Sequence, residues 1–396
     1  MKIIVSGLGI ISGIGLNEKE TLHSLSAEES GIGPITLFET RHKESTPVAE
    51  VKASNAQLKD LLGLPTGKIY SRTALLGMFA AKQAYEDAHL KEKKKIRIGL
   101  ISGTSVGGMD LSEIFYTSFY QDPKKGRLCR IVSHDCADST ERIASYLGIS
   151  DHISTISTAC SSAANAIMLG ARLIRHNIVD CVIAGGTDAL CKFTLNGFAS
   201  LKILDNVHCR PMDESRTGLN LGEGAAYIVL EKESTHPVKN YCELTGYANV
   251  CEAFHQTASS PDGNGAFLAM KQALKKSNLS AHHIDYINLH GTGTPNNDLA
   301  EGNAVKRLFT NKKPFLSSTK AFTGHTLGAA GGIEAVMSVL AIKHQLLPPN
   351  LNFSTPISEH GLIPVTKFQQ NVPINSVLSN SFGFGGNNST LIFSKQ

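Results

Sequence analysis

The chain reads as an α/β protein with a parallel sheet, built from a duplicated unit. Short β-favouring apolar runs alternate with longer stretches of helical periodicity, the order that lays helices across a sheet. A strand followed by a small-residue-rich buried helix occurs twice, at Ile153–Thr158 with the helix after Cys160, and at Phe315–Thr319 with the helix Gly328–His344. At 396 residues the chain exceeds one simple core, and with 36 glycines and no tryptophan its interior must be made of aliphatic and small side chains in close layers. Two halves related by a pseudo-twofold would bring the two buried helices together. Cys160 and His325, each just ahead of its helix, would then face one another.

Taken in order, Lys2–Ser6 reads as a strand, followed by a turn punctuated by Gly7, Gly9, Gly13 and Gly15 and a helix over Glu18–Ala27. The glycine spacing is not GxGxxG opening into a helix, which argues against a dinucleotide site. Residues 35–66 are mixed and polar, as surface excursions are. Ser71–Ala88 is an Ala-rich amphipathic helix, Arg97–Ser102 a buried strand ending in a GTSVGG turn, and Ser139–Leu147 another helix. Asp180–Ala184 is the strand after the Cys160 helix, 191–222 is loop-rich, and Ala225–Glu231 returns as a strand. The stretch ESTHPVKN around Pro237 reads as the connector, dividing the chain into halves 1–240 and 241–396. Glu243–Ala248, Ala266–Ser277 and Ile284–His290 then repeat strand, helix and strand.

Composition narrows the function. A net charge of +4 is too mild for a nucleic-acid partner, and the longest basic run, Lys91–Lys95, reads as a solvated helix end. The apolar start MKIIVSGLGIISGIG is too short for a membrane span and has no cleavage-like site. The eight cysteines form no CxxC pair and have no closely paired His, so zinc is not expected and reduced, cytoplasmic thiols are.

The stretch ISTISTACSSAANAIMLGARLIR, Ile153 to Arg175, organises the rest. Cys160 lies at a strand-to-helix junction, where unpaired N–H groups and the helix dipole favour thiolate. A buried cysteine capping a core helix fits that stretch equally well. Three further stretches stand out: His290 in INLHGTGTPNNDLAE, Lys320 and His325 in SSTKAFTGHTLGAAGG, and Phe384 in NSFGFGGNNS.

With TACSS around Cys160, these motifs resemble the elongating β-ketoacyl-acyl-carrier-protein synthases of the Cys-His-His type. The resemblance covers nearly the whole chain, including SGLGIISGIG, RPMDESRTGLNLGEGAA at 210–226 and PDGNGAFLAM at 261–270. It implies a thiolase-like fold of two duplicated βαβαβαββ halves, layered α-β-α-β-α. It also implies decarboxylative Claisen condensation of an acyl thioester with malonyl-acyl-carrier-protein. By the resemblance Cys160 carries the acyl group, His290 and His325 donate to the enolate oxygen, and Glu301 pairs with Lys320 to support them. Phe384 supplies an oxyanion N–H and a gate within Gly383, Gly385 and Gly386. Thr292 and Thr294 hold the pantetheine arm.

No cofactor and no metal are implied. The expected partners are an acyl carrier protein bearing 4'-phosphopantetheine-bound acyl and malonyl groups, and a second copy or a related ketosynthase in a dimer. Lys68, Arg72 and Lys202 are the basic residues expected to dock the carrier. The CSSAANA sequence is closer to polyketide-type members, and the segment Leu201–Pro211 is short where relatives often carry a longer basic loop. A degradative thiolase would use a second cysteine as base, which NSFGFGGNN lacks; an inactive partner subunit would lack the nucleophile, which Cys160 supplies.

Overall fold

The computed structural model describes residues 1–93, 96–233, 239–310 and 312–396. Ten strands join in one mixed sheet, five from each half. The first half contributes β1 (Ile3–Ser12), β2 (Ile98–Gly103), β3 (His152–Ile156), β4 (Cys181–Asp188) and β5 (Gly224–Lys232). The second contributes β6 (Cys242–Cys251), β7 (Tyr286–Asn288), β8 (Phe315–Ser317), β9 (Ser376–Gly383) and β10 (Asn387–Ser394). Counted from the seam where β1 meets β6, both halves order their strands first, fifth, fourth, second, third. In both, the second strand runs parallel to the third and fourth. The fifth runs antiparallel to the fourth and the first. The sheet is therefore mixed where the βαβ alternation predicts parallel strands, because each half closes with an antiparallel strand; between β9 and β10 the tight turn Phe384–Gly386 permits no other direction.

The helices are α1 (Glu18–Ala27), α2 (Asn55–Leu62), α3 (Arg72–Asp87), α4 (Met109–Gln121), α5 (Cys136–Leu147), α6 (Ser162–Arg175), α7 (Lys192–Ser200), α8 (Asn264–Ser277), α9 (Pro295–Leu308), α10 (Lys320–Thr323) and α11 (Ala330–His344). Polar caps fix several starts: the side chains of Asn17 and Ser71 accept the N–H groups of Glu20 and Ala74. α3 covers the first half's strands from outside and α8 with α9 covers the second's, while α6 and α11 pack against strands of both halves. That gives the layers α-β-α-β-α. α11 is buried without a break from Ala330 to Ile342, apolar all round except for Glu334 and Ser338, whose hydroxyl donates back to the Glu334 carbonyl, as a helix inside a core must be. Burying Ile333, Val336, Met337, Val339 and Leu340, at roughly 1.5–3 kcal/mol each, fastens α11 against strands of both halves.

The predicted turn at Gly7 and Gly9 lies inside β1, which is buried along its length. A Cβ on Gly9 would stand 2.0 Å from the Ala80 carbonyl oxygen, so this glycine admits the α3 backbone rather than a phosphate. The predicted connector around Pro237 lies mostly outside the described residues, as do Lys94 and Lys95 of the basic run. Among the described residues no helix is long and apolar enough to cross a membrane.

Candidate active site

After β3 the chain turns through Ala159, in the left-handed region at φ +52°, and enters α6 at Ser162. Such a conformation costs about 1–2 kcal/mol at a non-glycine residue and needs fastening. Ser162 Oγ donates to the Ala159 carbonyl at 2.6 Å and accepts the Thr158 N–H at 2.9 Å. Ser161 Oγ donates to the Thr158 carbonyl at 2.7 Å and contacts Asn387 Oδ1 at 2.9 Å, tying the elbow to β10. The two serines of CSS are thus stitches, and they leave Cys160 at the foot of α6.

Cys160 Sγ and ring nitrogens of His290 and His325 lie within 4.8 Å of one another. The imidazoles meet edge to face, centroids 5.4 Å apart. His325 Nδ1 accepts the Leu327 N–H at 3.0 Å, and His290 Nδ1 faces the Lys320 ammonium at 3.3 Å. With a donor on each Nδ1, the proton of each neutral ring sits on Nε2. Burial holds both histidines well below their usual pKa, and the Lys320 charge adds to it, so both rings are neutral donors. The same three atoms form a set that a soft divalent metal could occupy.

Burial pushes the Cys160 thiol up to about 11, against the pull of Lys320 and of the Phe384 and Cys160 N–H groups, both aimed at the sulfur. The expected helix-start thiolate is therefore corrected: desolvation outweighs the dipole. Rate-resolved mass spectrometry should show acyl loading of Cys160 rising roughly tenfold per pH unit from about pH 7 to 9, without the plateau near 8.5 of an ordinary thiol.

The pairing expected between Glu301 and Lys320 does not form. Glu301 accepts the N–H groups of His290 and Gly291 at 2.9 and 2.8 Å and the Asn380 amide at 3.0 Å, anchoring the loop that carries His290. Lys320 pairs instead with Glu334 of α11, both fully buried. Three backbone and side-chain donors satisfy Glu301, whereas Glu334, alone on an apolar helix, requires a cation. Burial pushes both carboxyls up to about 7.

Above the triad a cavity of about 300 Å³ opens outward, lined by Cys160, His290, His325, Thr292, Thr294 and Phe384 among others. Thr292 and Thr294 hydroxyls lie 2.8 Å apart on its wall. The Phe384 ring stacks on Phe198 of α7, centroids 6.0 Å apart. Gly383 lies against the elbow, where a Cβ would stand 2.9 Å from the Thr158 carbonyl oxygen, and Gly385 and Gly386 follow with φ of +80° and +77°.

Lys202 is exposed on the cavity rim. Lys68 is exposed but lines no part of the cavity. Arg72 is corrected: it is buried, holds Glu223 with Nη2–Oε1 at 2.6 Å, and also donates to the carbonyls of Val51 and Ala53. The sequence reading missed Glu334, Asn380, Asn387 and Phe198. Glu334 had a signal, the lone charge in GAAGGIEAVMSVLAI; Phe198 on a loop-flanking helix had none.

Two family descriptions together span nearly the whole chain: "Beta-ketoacyl synthase, N-terminal domain" matches residues 1–236 and "Beta-ketoacyl synthase, C-terminal domain" residues 241–354. The chain is 36% identical to the 3-oxoacyl-[acyl-carrier-protein] synthase 2 of Synechocystis sp. and 34% identical to that of Coxiella burnetii, covering 100% of this chain and 98% of each relative. Among solved structures it is similar to the ishigamide ketosynthase/chain length factor, with TM-score 0.93, 27% identity and 100% and 99% coverage of this chain and that one. It is also similar to the ketosynthase ApeO in complex with its chain length factor ApeC from Xenorhabdus doucetiae, with TM-score 0.88, 31% identity and 100% and 98% coverage. A third is a type II polyketide synthase assembly, AntDE:AntF, an acyl-carrier protein in complex with its ketosynthase, with TM-score 0.88, 26% identity and 100% and 99% coverage. A thiol and two neutral imidazoles at the mouth of a duplicated α-β-α-β-α core, on a chain matched from end to end, place this protein in the β-ketoacyl synthase family of condensing enzymes with the thiolase-like fold.

Proposed function

We propose that Cys160, His290 and His325 carry out a decarboxylative Claisen condensation between an acyl thioester and a malonyl thioester, both delivered on an acyl carrier protein. The observation that carries this reading is the triad within 4.8 Å, with both Nδ1 atoms already engaged. In the first step the Cys160 sulfur bonds to the acyl carbon, the tetrahedral oxyanion is held by the Cys160 and Phe384 N–H groups, and the carrier sulfur leaves as a thiol with the proton that Cys160 gives up. In the second, the malonyl C–C bond breaks, CO2 leaves, and the enolate oxygen accepts from both Nε2–H groups. The enolate carbon then attacks the acyl-Cys160 carbonyl, the C–S bond breaks with its electron pair passing to the Cys160 sulfur, which takes up a proton from solvent, and 3-oxoacyl-carrier is released. Lys320, held by Glu334, fixes the His290 tautomer; Glu301 fixes its loop. Thr292 and Thr294 offer hydroxyls to the amides of the pantetheine arm. The halves divide the work at about residue 240, nucleophile before and histidines after. Mass spectrometry after incubation with acyl-carrier protein tests the reading: acyl mass on Cys160 alone supports it, and acylation of another cysteine with turnover retained sinks it.

The carrier is supported by the names of the relatives, 3-oxoacyl-[acyl-carrier-protein] synthases, and by the AntDE:AntF assembly. A second ketosynthase-type subunit is supported by the ApeO–ApeC pair and by the exposed apolar side chains Ile114, Tyr116, Phe119 and Tyr120 along α4. Charge reversal at Lys68 or Lys202 should raise KM for carrier-bound substrate severalfold at low salt and leave a small thioester analogue unchanged. Arg72→Ala belongs to another class, because it strands Glu223 in the core. It should lower stability by about 3–5 kcal/mol in urea unfolding and affect both substrates alike.

A further inference from the structure

The far end of α6 carries a cluster that the condensation does not use. Arg172 and Arg175 lie in its last turn and Lys276 in the last turn of α8. Between them stands Tyr247 of β6, only 2% exposed. Lys276 Nζ lies 3.7 Å from its ring centroid and the Arg175 guanidinium 5.4 Å. The phenol oxygen of Tyr247 and Nε of Arg175 are both buried without a hydrogen-bond partner. Among the described residues no carboxylate lies within ion-pair reach of the three cations, and none of the remaining positions is an acid.

Cations at helix C-termini are ordinary. Two against one buried phenol, with Arg172 one turn away on the same helix, are not, because like charges repel and a buried hydroxyl without a partner is costly. The repulsion leaves a trace: burial and the charges of Arg175 and Arg172 hold Lys276 below its usual pKa. Glu243, the acid whose charge reaches Arg175, is shared with Lys2 and the N-terminal amine.

We infer that Arg172, Arg175, Lys276 and the Tyr247 hydroxyl form an anion site for a phosphate group, free or as a monoester. A phosphate oxygen accepts from the unpartnered phenol and guanidinium N–H, and its double charge offsets the three cations. The site lies at the end of α6 opposite Cys160, about 20 Å along its 14 residues, and none of its four side chains lines the cavity above the triad, so it is not the place where that cavity would hold the phosphate of a pantetheine arm.

The test is thermal unfolding of the full chain against sodium phosphate, with sodium chloride at matched ionic strength and glycerol 3-phosphate as a parallel arm. A saturable rise in Tm is expected, with the apparent Kd at least fivefold weaker in Lys276→Gln, Arg175→Gln and Tyr247→Phe but unchanged in Lys202→Gln. Tyr247→Phe keeps the ring under both cations and removes only the hydroxyl, so its effect reports the anion contact rather than packing. Rises with both ligands assign the site to phosphate groups generally, and a rise with inorganic phosphate alone assigns it to the free anion. No rise beyond that of chloride, or one unaltered in Lys276→Gln and Arg175→Gln, overturns the inference.

Discussion

Cys160→Gln is expected to abolish 3-oxoacyl product while continuing to release CO2 from malonyl-carrier. Two parts of the site act on different bonds, and the substitution removes one of them. Without the sulfur no acyl-enzyme forms, and product falls to the detection limit. The glutamine amide, of roughly acyl-thioester shape, can place its oxygen toward the Cys160 and Phe384 N–H groups, which aim at that position. The enzyme then mimics its acylated state, with the malonyl pocket organised for decarboxylation. His290 and His325 are untouched, and their Nε2–H groups still meet the enolate oxygen. Adding His290→Ala or His325→Ala removes one of two donors, a loss of about 3 kcal/mol or roughly a hundredfold in the rate of CO2 release. Labelled malonyl-carrier measures this directly. Equal CO2 release in the single and double variants would show that the histidines do not stabilise the enolate.

Much of this arrangement was legible in the residues because it is local. A strand, an elbow and a small-residue helix are written in consecutive positions, and the second copy, with His325 in place of Cys160, is written the same way. The strand order repeated in both halves confirms the duplication that those two stretches imply. Charge partners were harder to read, since a buried ion takes whichever opposite group the fold delivers. Glu301 sits near the histidine motif in sequence, yet backbone N–H groups satisfy it; Glu334, 14 residues after Lys320, arrives from the central helix. Arg72 reads as a surface charge at a helix start, and only the approach of Glu223 from the other side of the half makes it internal. The thiol's protonation is likewise a balance of burial against dipole, and burial depends on everything packed above Cys160.

The exchange of Glu301 for Glu334 as the partner of Lys320 carries the last prediction. Lys320→Ala leaves Glu334 in the core without its cation and His290 Nδ1 without its donor. Removing one member of a buried pair costs about 3–5 kcal/mol, so the variant should unfold at markedly lower urea. Loss of activity alone would then be ambiguous. The double variant Lys320→Met/Glu334→Leu separates the two effects, because it removes both charges and refills the volume, and its stability should return to within about 1 kcal/mol of the parent. Its decarboxylation rate should stay low, since His290 is then free to place its proton on Nδ1, where it no longer points at the enolate. Glu301→Gln keeps the shape of its side chain and should leave the Lys320 pair intact, disturbing only the loop N–H bonds. If stability returns and decarboxylation returns with it, Lys320 serves the core and not the histidine. If Glu301→Gln destabilises as much as Lys320→Ala, the buried pair assigned to Glu334 is wrong.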